Sequence, residues 1–178
     1  MTSKSGTIPS LMLVVFSGLP GTGKTTLAEH AARTIQAPLF SADRLEAALW
    51  RSDIRRDAGS MAATYELLTT LAEGQLRLGQ SALLDSVVGL ESTKTAWREL
   101  AVRYAATFRV IECVCSDAVL HRRRLDGRDR QIPGWYELTW EDVERSRGPF
   151  EPWRDERLVL DSVQPLTSNL DQIEMYLS

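Results

Sequence analysis

The sequence predicts an α/β fold, a three-layer sandwich with a five-stranded parallel sheet between two layers of helices. Two observations carry this prediction. Short, almost continuously apolar segments alternate along the chain with segments whose apolar residues recur at helical spacing. Strands that are apolar on both faces belong to parallel sheets covered by helices on each side. The predicted strands are residues 11–17, 38–41, 81–85, 108–115 and 157–161.

The length and charge of the chain set the first limits on its function. With 178 residues, 43% of them hydrophobic, the chain is predicted to form one domain over residues 1–178. Its net charge of −3 argues against a protein that mainly neutralises a long phosphate backbone. The longest apolar run, residues 11–16, is far shorter than the roughly 20 residues of a membrane span, and residues 1–10 lack the apolar core of a signal peptide. We therefore expect a cytoplasmic protein without a membrane anchor, of undetermined oligomeric state.

Apolar residues at helical spacing mark the segments between the strands and predict helices that pack one face against the sheet. Helices over approximately residues 44–80 are predicted between the second and third strands. Residues 126–138 combine glycine, proline and paired charges, so we expect a helical lid over approximately residues 122–138. The predicted apolar stripes consist of Leu27, Ala28, Ala31, Ala32 and Ile35, then Met61, Tyr65, Leu68 and Ala72, and then Trp97, Leu100, Ala101 and Tyr104.

The first predicted strand runs directly into the sequence GLPGTGKTT, and a predicted helix leaves it. Gly18, Gly23, Lys24 and Thr25 have the spacing of a phosphate-binding loop, or P-loop. Its glycines allow consecutive backbone N–H groups to face an anion at the helix N-terminus. We expect Lys24 to reach the β- and γ-phosphates of a nucleotide and to act catalytically, and Thr25 to offer its hydroxyl to Mg²⁺. The predicted cofactor-binding residues of the loop are Gly21, Thr22, Gly23, Lys24, Thr25 and Thr26.

Two aspartates follow predicted strands at the carboxyl edge of the sheet, where open α/β sheets bind their ligands. Asp85 ends the third strand and is predicted to take part in the magnesium site; the alternative is a turn with Ser86. Asp43 follows the second strand and is predicted to accept or orient a hydroxyl proton of the phosphate acceptor. The alternative for Asp43 is an N-cap, with Glu46 three residues further on.

Arginine is concentrated in the sequence LHRRRLDGRDR. Arginine-rich segments are usually solvated, and successive arginines point in different directions on a helix. Arg124 and Arg128, at positions i and i+4, are predicted to share one helical stripe that leads into the lid. We predict that Arg124 contacts the nucleotide and that Arg128 neutralises charge on the transferred phosphate, with Arg130 as an alternative.

The histidines and two lid tryptophans are interpreted as structural residues. His30 and His121 lie on predicted helices without catalytic partners, and we expect both at the surface. Trp135 and Trp140 flank the predicted lid and are interpreted as packing residues; shielding the site or stacking on a ring is the alternative.

The motifs occur in a recognisable order: GLPGTGKTT, SAD, LLDS, RRRLDGR and PFEPWRDERLVLDS. With these motifs, nearly the whole chain resembles the small P-loop kinases, which include gluconate kinase, shikimate kinase, chloramphenicol phosphotransferase, zeta-type toxins, polynucleotide kinase domains and the predicted AAA-type kinases. The resemblance implies that Asp43 contacts the acceptor hydroxyl, and that Arg124 and Arg128 touch adenine and phosphates. The chain departs from the polynucleotide kinases at Glu46, where they carry an arginine, and a carboxylate there would repel a neighbouring phosphate.

The leading hypothesis is a kinase that uses ATP and Mg²⁺ to phosphorylate a hydroxyl group of a small molecule. The alternatives are a polynucleotide 5′-hydroxyl kinase and a protein that binds or hydrolyses a nucleotide without phosphate transfer. A guanine-specific switch is disfavoured because the only asparagine, Asn169, is not in an Asn-Lys-x-Asp segment. Arg51, Arg55 and Arg56 are interpreted as a solvated charged face, with binding of an anionic acceptor as the alternative.

Overall fold

A computed structural model describes residues 10–148 and 150–178. The predicted strands are all present in it, and each end lies within one residue of its predicted position. The strands are β1 Met12–Ser17, β2 Leu39–Ser41, β3 Ala82–Asp85, β4 Thr107–Val114 and β5 Leu158–Asp161. The helices of the described residues are α1 Lys24–Ile35, α2 Ala42–Arg51, α3 Ala58–Arg77, α4 Glu91–Arg103, α5 Ala118–Asp126, α6 Trp140–Arg147 and α7 Leu166–Leu177.

The five strands form one parallel sheet in the order β2-β3-β1-β4-β5, which confirms the predicted fold class. The registers pair Phe16 of β1 with Asp85, and Asp85 in turn with Ser41 of β2. Because parallel strands end at the same edge, the P-loop after β1, the start of α2 and Asp85 are brought together.

Two hydrophobic clusters fill the space on the two faces of the sheet. Successive side chains of a strand point to opposite faces, so Leu13 and Val15 pack against α3 and α4, whereas Val14 and Phe16 pack against α1 and α7. All four of these side chains are fully buried. Each helix layer therefore packs on its own face of the sheet through a separate hydrophobic core.

The predicted stripe of α3 is wrong at one position. Met61 is 53% exposed, because the buried face of α3 is shifted by one residue and begins with Ser60 and Thr64. These hydroxyls can be buried because they are satisfied within the helix: Ser60 forms a capping box with Asp57, and Thr64 Oγ1 donates to the Ser60 carbonyl oxygen at 2.9 Å.

No helix of the described residues has the length and apolar character needed to cross a membrane. Two parts of the sequence lie outside the described residues. The first is residues 1–9, which were interpreted as lacking a signal peptide, and the second is Pro149 of the PFEPWRDERLVLDS motif.

Trp97 is expected to be a major source of stability. Its indole is fully buried, is tilted against Tyr65 with the ring centroids 6.1 Å apart, and donates from Nε1 to Thr69 Oγ1 at 2.9 Å. Replacement of a buried tryptophan with alanine leaves a cavity, so Trp97→Ala should lower the free energy of unfolding by about 3–5 kcal/mol. Urea unfolding followed by circular dichroism measures this.

The matched control is Val102→Ala on the same helix, where the valine is 79% exposed. We expect it to change the free energy of unfolding by less than about 0.5 kcal/mol. Equal losses for the two variants would show that the α4 face described here does not form the core.

Candidate active site

The P-loop has a backbone that glycine makes possible. Gly18, Gly21 and Gly23 have φ angles of 135°, 86° and 87°, which side chains disfavour. A Cβ atom at Gly18 would collide with the carbonyl oxygen of Cys113, so the loop packs directly on the end of β4. Gly23 is the N-cap of α1, and the positive end of this helix therefore faces the space enclosed by the loop.

Lys24 and Thr25 begin α1 and point to the carboxyl edge of the sheet. Lys24 is buried and donates from Nζ to the Leu19 carbonyl oxygen at 3.2 Å. Thr25 Oγ1 donates to Asp85 Oδ2 at 2.8 Å. Burial lowers the pKa of Lys24 and raises the pKa of Asp85, and the opposite charge of each partner resists both shifts. The loop and the end of β3 thus form one coupled polar cluster, as the sequence predicted.

The residues at this cluster fit a magnesium ion. Mg²⁺ prefers oxygen ligands and usually retains waters and phosphate oxygens, so it needs few protein groups. The Thr25 hydroxyl and the Asp85 carboxylate supply two such oxygens side by side. Within residues 10–148 and 150–178 there is no group of three or more His, Cys, Asp or Glu side chains suited to a metal ion, which is compatible with this sparse type of site.

Asp43 lies in the first turn of α2 and forms an ion pair with Arg130 of the lid. Arg130 also donates from Nη2 to Thr25 Oγ1 at 3.0 Å, and its side chain is only 7% exposed. The N-cap of α2 is Ser41, so the N-cap alternative for Asp43 is wrong. Through Arg130, the predicted acceptor carboxylate is connected to the predicted magnesium ligand.

Arg128 is half-buried beside the same cluster. Burial lowers its pKa, and the charges of Glu137 and Asp85 oppose the shift. Arg128 and Arg130 both contribute to lowering the pKa of Lys24, which indicates that the three cations share one region. Such a concentration of positive charge at a P-loop is suited to the phosphates of a nucleotide.

Arg124 does not share a helical stripe with Arg128, contrary to the prediction. Helix α5 ends at Asp126 with Gly127 as its C-cap, so Arg128 follows the helix and turns towards Asp85. Arg124 instead donates to Ser162, at 2.8 Å to Oγ and 3.0 Å to the carbonyl oxygen. Ser162 lies in the loop after β5, close to Gly23, and a nucleotide contact by Arg124 stays a prediction.

His121 is buried, so its predicted surface position is wrong. Its Nε2 lies 2.7 Å from the Pro20 carbonyl oxygen, and its ring makes an edge contact with Trp140 at 5.2 Å. A Cβ atom at Gly21 would approach the histidine ring to 3.1 Å. His121 therefore supports the P-loop from α5, a role that the spacing of buried His121 and Leu125 at i and i+4 could have suggested.

The prediction of a helical lid is wrong for residues 127–138, which contain no helix because α5 ends at Asp126 and Gly127 caps it. This segment of the lid rests on α2 through aromatic contacts. Trp135 stacks on Trp50, with the ring centroids 5.2 Å apart and an angle of 16° between the planes. Arg51 donates from Nη1 to the Pro133 carbonyl oxygen, and the Arg56 guanidinium lies over the rings of Trp50 and of Tyr136. Two of the three arginines that were interpreted as a solvated face thus contact the lid.

Sequence reasoning missed Trp50 and ranked Arg130 below Arg128. Trp50 follows Asp43 by seven residues, which places both on one face of α2, and this spacing was the available signal. No comparable signal identifies Arg130, because its position depends on the path of the loop after Gly127.

The AAA domain family matches residues 13–152, whereas no curated protein is significantly similar in sequence. Similar structures include a provisionally named kinase from Chloroflexus aurantiacus, 21% identical with a TM-score of 0.75 over 95% of this chain and 100% of that chain. A gluconokinase from Sinorhizobium meliloti is 15% identical with a TM-score of 0.70 over 95% and 91%.

An APS kinase from Mycobacterium tuberculosis, solved in complex with AMPPNP and APS, is also similar. It is 19% identical, with a TM-score of 0.66 over 94% of this chain and 95% of that chain. At these identities the structures define the fold, and the family match covers most of the chain. The chain therefore belongs to the AAA domain family, and its fold is that of the P-loop kinases.

Proposed function

We propose that this protein is a kinase that transfers the γ-phosphate of ATP to a hydroxyl group of a small molecule. One observation carries the proposal: Arg130 contacts both Asp43 and Thr25, and Thr25 in turn donates to Asp85. A P-loop, a carboxylate suited to magnesium and a carboxylate suited to an acceptor therefore converge on one point.

In the proposed reaction, the P-loop binds the phosphates of ATP through its backbone N–H groups and Lys24. Thr25 and Asp85 would hold Mg²⁺, which supplies charge neutralisation on the phosphate oxygens when it is bound. Lys24, Arg128 and Arg130 neutralise the charge that the transferred group spreads over its oxygens. Little covalent chemistry is required of the protein beyond this.

Asp43 is proposed to receive the acceptor. The acceptor oxygen forms a bond to the γ-phosphorus, the bond from the γ-phosphorus to the β,γ-bridging oxygen breaks, and ADP leaves. The hydroxyl proton passes to the Asp43 carboxylate, which then releases it to solvent. The pairing of Asp43 with Arg130 suits this role because it holds the carboxylate beside the cluster that binds phosphate.

The similar structures support the use of a nucleotide. One of them is named a gluconokinase, and another is an APS kinase in complex with AMPPNP. A direct test incubates the protein with ATP and Mg²⁺ and a panel of sugars, cyclitols, nucleosides and amino alcohols. ADP release is recorded, and products are identified by a mass gain of one phosphate. ADP release at background with every acceptor, together with ATP binding, would favour a nucleotide-binding protein without transfer.

Lys24→Met is expected to lower kcat by about 10²–10³, since it removes a charge that acts on the transferred phosphate. Methionine preserves most of the buried stem of Lys24, so the melting temperature should change little. Steady-state ADP release measures the loss. Arg33→Met, at the exposed end of the same helix, is the control, and equal turnover in both variants would contradict the P-loop assignment.

Asp43→Asn is expected to lower kcat by about 10² with less than a twofold change in ATP affinity, because asparagine keeps the shape of aspartate but cannot accept the proton. The exposed Asp53, just after α2, provides the control Asp53→Asn. A variant with wild-type turnover would leave Asp43 as a structural partner of Arg130.

We expect little phosphate transfer to 5′-hydroxyl oligonucleotides, because the net charge is −3 and Glu46 lies one helical turn from Asp43. Labelled transfer to oligonucleotides of increasing length is compared with transfer to mononucleosides at two salt concentrations. Binding of a single strand would show a logarithmic salt slope of about −0.7 per phosphate contact. Efficient labelling that grows with length and weakens steeply with salt would identify a polynucleotide end as the acceptor.

A further inference from the structure

One face of α2 carries the residues that contact the lid. Asp43, Glu46 and Trp50 lie at positions i, i+3 and i+7, so they share this face. Asp43 pairs with Arg130 and Trp50 stacks on Trp135, and both partners belong to the lid. Glu46 therefore lies between the two contacts, where the lid covers the helix.

The Glu46 carboxylate is half-buried and has no ion-pair partner within 4.0 Å among the described residues. Burial raises its pKa, and the more distant positive charge of Arg56 opposes this shift. A partly buried carboxylate is stabilised in its charged form by a positive charge placed next to it. Glu46 thus has an unused capacity to bind a positive charge.

Other buried polar groups belong to α2, to the lid and to the elements packed against them. Tyr65 of α3 is close enough to Glu46 for the carboxylate to help raise its pKa, which burial brings to about 12. The Ser86 hydroxyl faces Tyr65, is only 2% exposed and makes no hydrogen bond of ordinary geometry to another described residue. The indole N–H groups of Trp50 and Trp135 are also buried without a partner there. Buried polar groups of proteins are normally paired, so the two indole N–H groups have unused hydrogen-bonding capacity, although both are closed to solvent in this structure.

Arg56 indicates the charge of that ligand. Its guanidinium lies 5.2 Å from the ring centroid of Trp50 and 4.1 Å from that of Tyr136, and it is attracted by Glu46. Aromatic faces beside a carboxylate form a favourable site for a cation. Arg56 itself is exposed and belongs to the loop between α2 and α3, so this side chain can leave and make room for another cation.

We propose that the acceptor carries a protonated amine, which binds Glu46 and the faces of Trp50 and Tyr136 in place of Arg56. This inference rests on the proposed kinase function and defines its substrate class as amino alcohols, amino sugars or aminocyclitols. The hydroxyl group reaches Asp43 while the ammonium group reaches Glu46. The Cβ atoms of residues i and i+3 of a helix are about 5–6 Å apart. We therefore expect a similar distance between the hydroxyl and the ammonium group of the acceptor.

An anionic acceptor is less consistent with the same contacts. Three arginines of this region are already engaged: Arg130 pairs with Asp43, Arg51 donates to the Pro133 carbonyl oxygen and Arg56 covers aromatic rings. Arg128, which forms no ion pair with another described residue, lies beside Asp85 at the proposed phosphate site. The charge next to Trp50 on α2 is the negative charge of Glu46, which would repel an anion.

The test uses trios of acceptors that differ at one group, such as glucosamine, glucose and gluconate, together with aminocyclitols and the parent cyclitols. We expect kcat/KM for the amine to exceed that for the neutral member by about tenfold. In Glu46→Gln this preference should disappear, mainly through a higher KM for the amine. A preference for the neutral or the acidic member, or an unchanged preference in Glu46→Gln, would overturn the inference.

Arg56→Ala separates the two possible charges of the acceptor. Removal of the competing guanidinium should leave kcat/KM for the amine unchanged or raise it severalfold, whereas an anionic acceptor that used Arg56 would lose affinity. The neighbouring Arg55 is exposed and makes none of the lid contacts described above, so Arg55→Ala is the matched control and should behave as the wild type. A loss of amine turnover in Arg56→Ala alone would contradict the proposal.

A binding measurement distinguishes failure of this inference from failure of the proposed function. Trp50 and Trp135 border the site, so binding of an amine should change tryptophan fluorescence in the wild type and not in Glu46→Gln. Amine binding that depends on Glu46 without any phosphate transfer would support the cation site and reject the kinase. Phosphate transfer without a Glu46-dependent response to amines would support the kinase and reject the cation site, and a lack of both would reject both.

Discussion

The parallel pairing of β1 with β3 is the constraint on which the rest of the site depends. It sets Phe16 opposite Asp85, so the chain leaves β1 and enters the P-loop beside the carboxylate that ends β3. The hydrogen bond from Thr25 to Asp85 closes this arrangement. A shift of the register by one residue would turn the Asp85 side chain to the other face of the sheet, and no movement of the lid could restore the cluster.

The lid contributes the positive charge of Arg130 to the carboxyl edge of the sheet. Arg130 is nearly buried and serves both Asp43 and Thr25, whereas Trp135 packs on Trp50. A buried ion pair gains little over apolar packing, but removal of one partner leaves an uncompensated charge and is strongly destabilising. Arg130 is therefore better understood as a residue that fixes the position of the lid relative to α2 than as a source of overall stability.

The strands and the P-loop could be predicted because local patterns determine them. Apolar runs specify buried strands, and the glycines with Lys24 and Thr25, placed between a strand and a helix, specify the loop. The errors concern positions that tertiary contacts decide. His121 is buried because the P-loop passes over it. Met61 is exposed because the buried face of α3 contains Ser60 and Thr64 instead, whose hydroxyls form hydrogen bonds within the helix. Helix α5 ends before Gly127, so Arg128 lies outside the helix and Arg130 pairs with Asp43. Helical spacing in the sequence does not predict where this helix ends.

The double contact of Arg130 has a thermodynamic consequence for a kinase. A nucleotide phosphate at the P-loop and the Asp43 carboxylate would compete for the Arg130 guanidinium, because Arg130 contacts both Asp43 and the Thr25 hydroxyl. Occupancy of the P-loop then alters the free energy with which Asp43 can engage an acceptor, and linkage requires the acceptor to alter nucleotide affinity by the same factor. In the proposed kinase, nucleotide binding and acceptor binding would thus be coupled through the Arg130 side chain, without a larger rearrangement of the sheet.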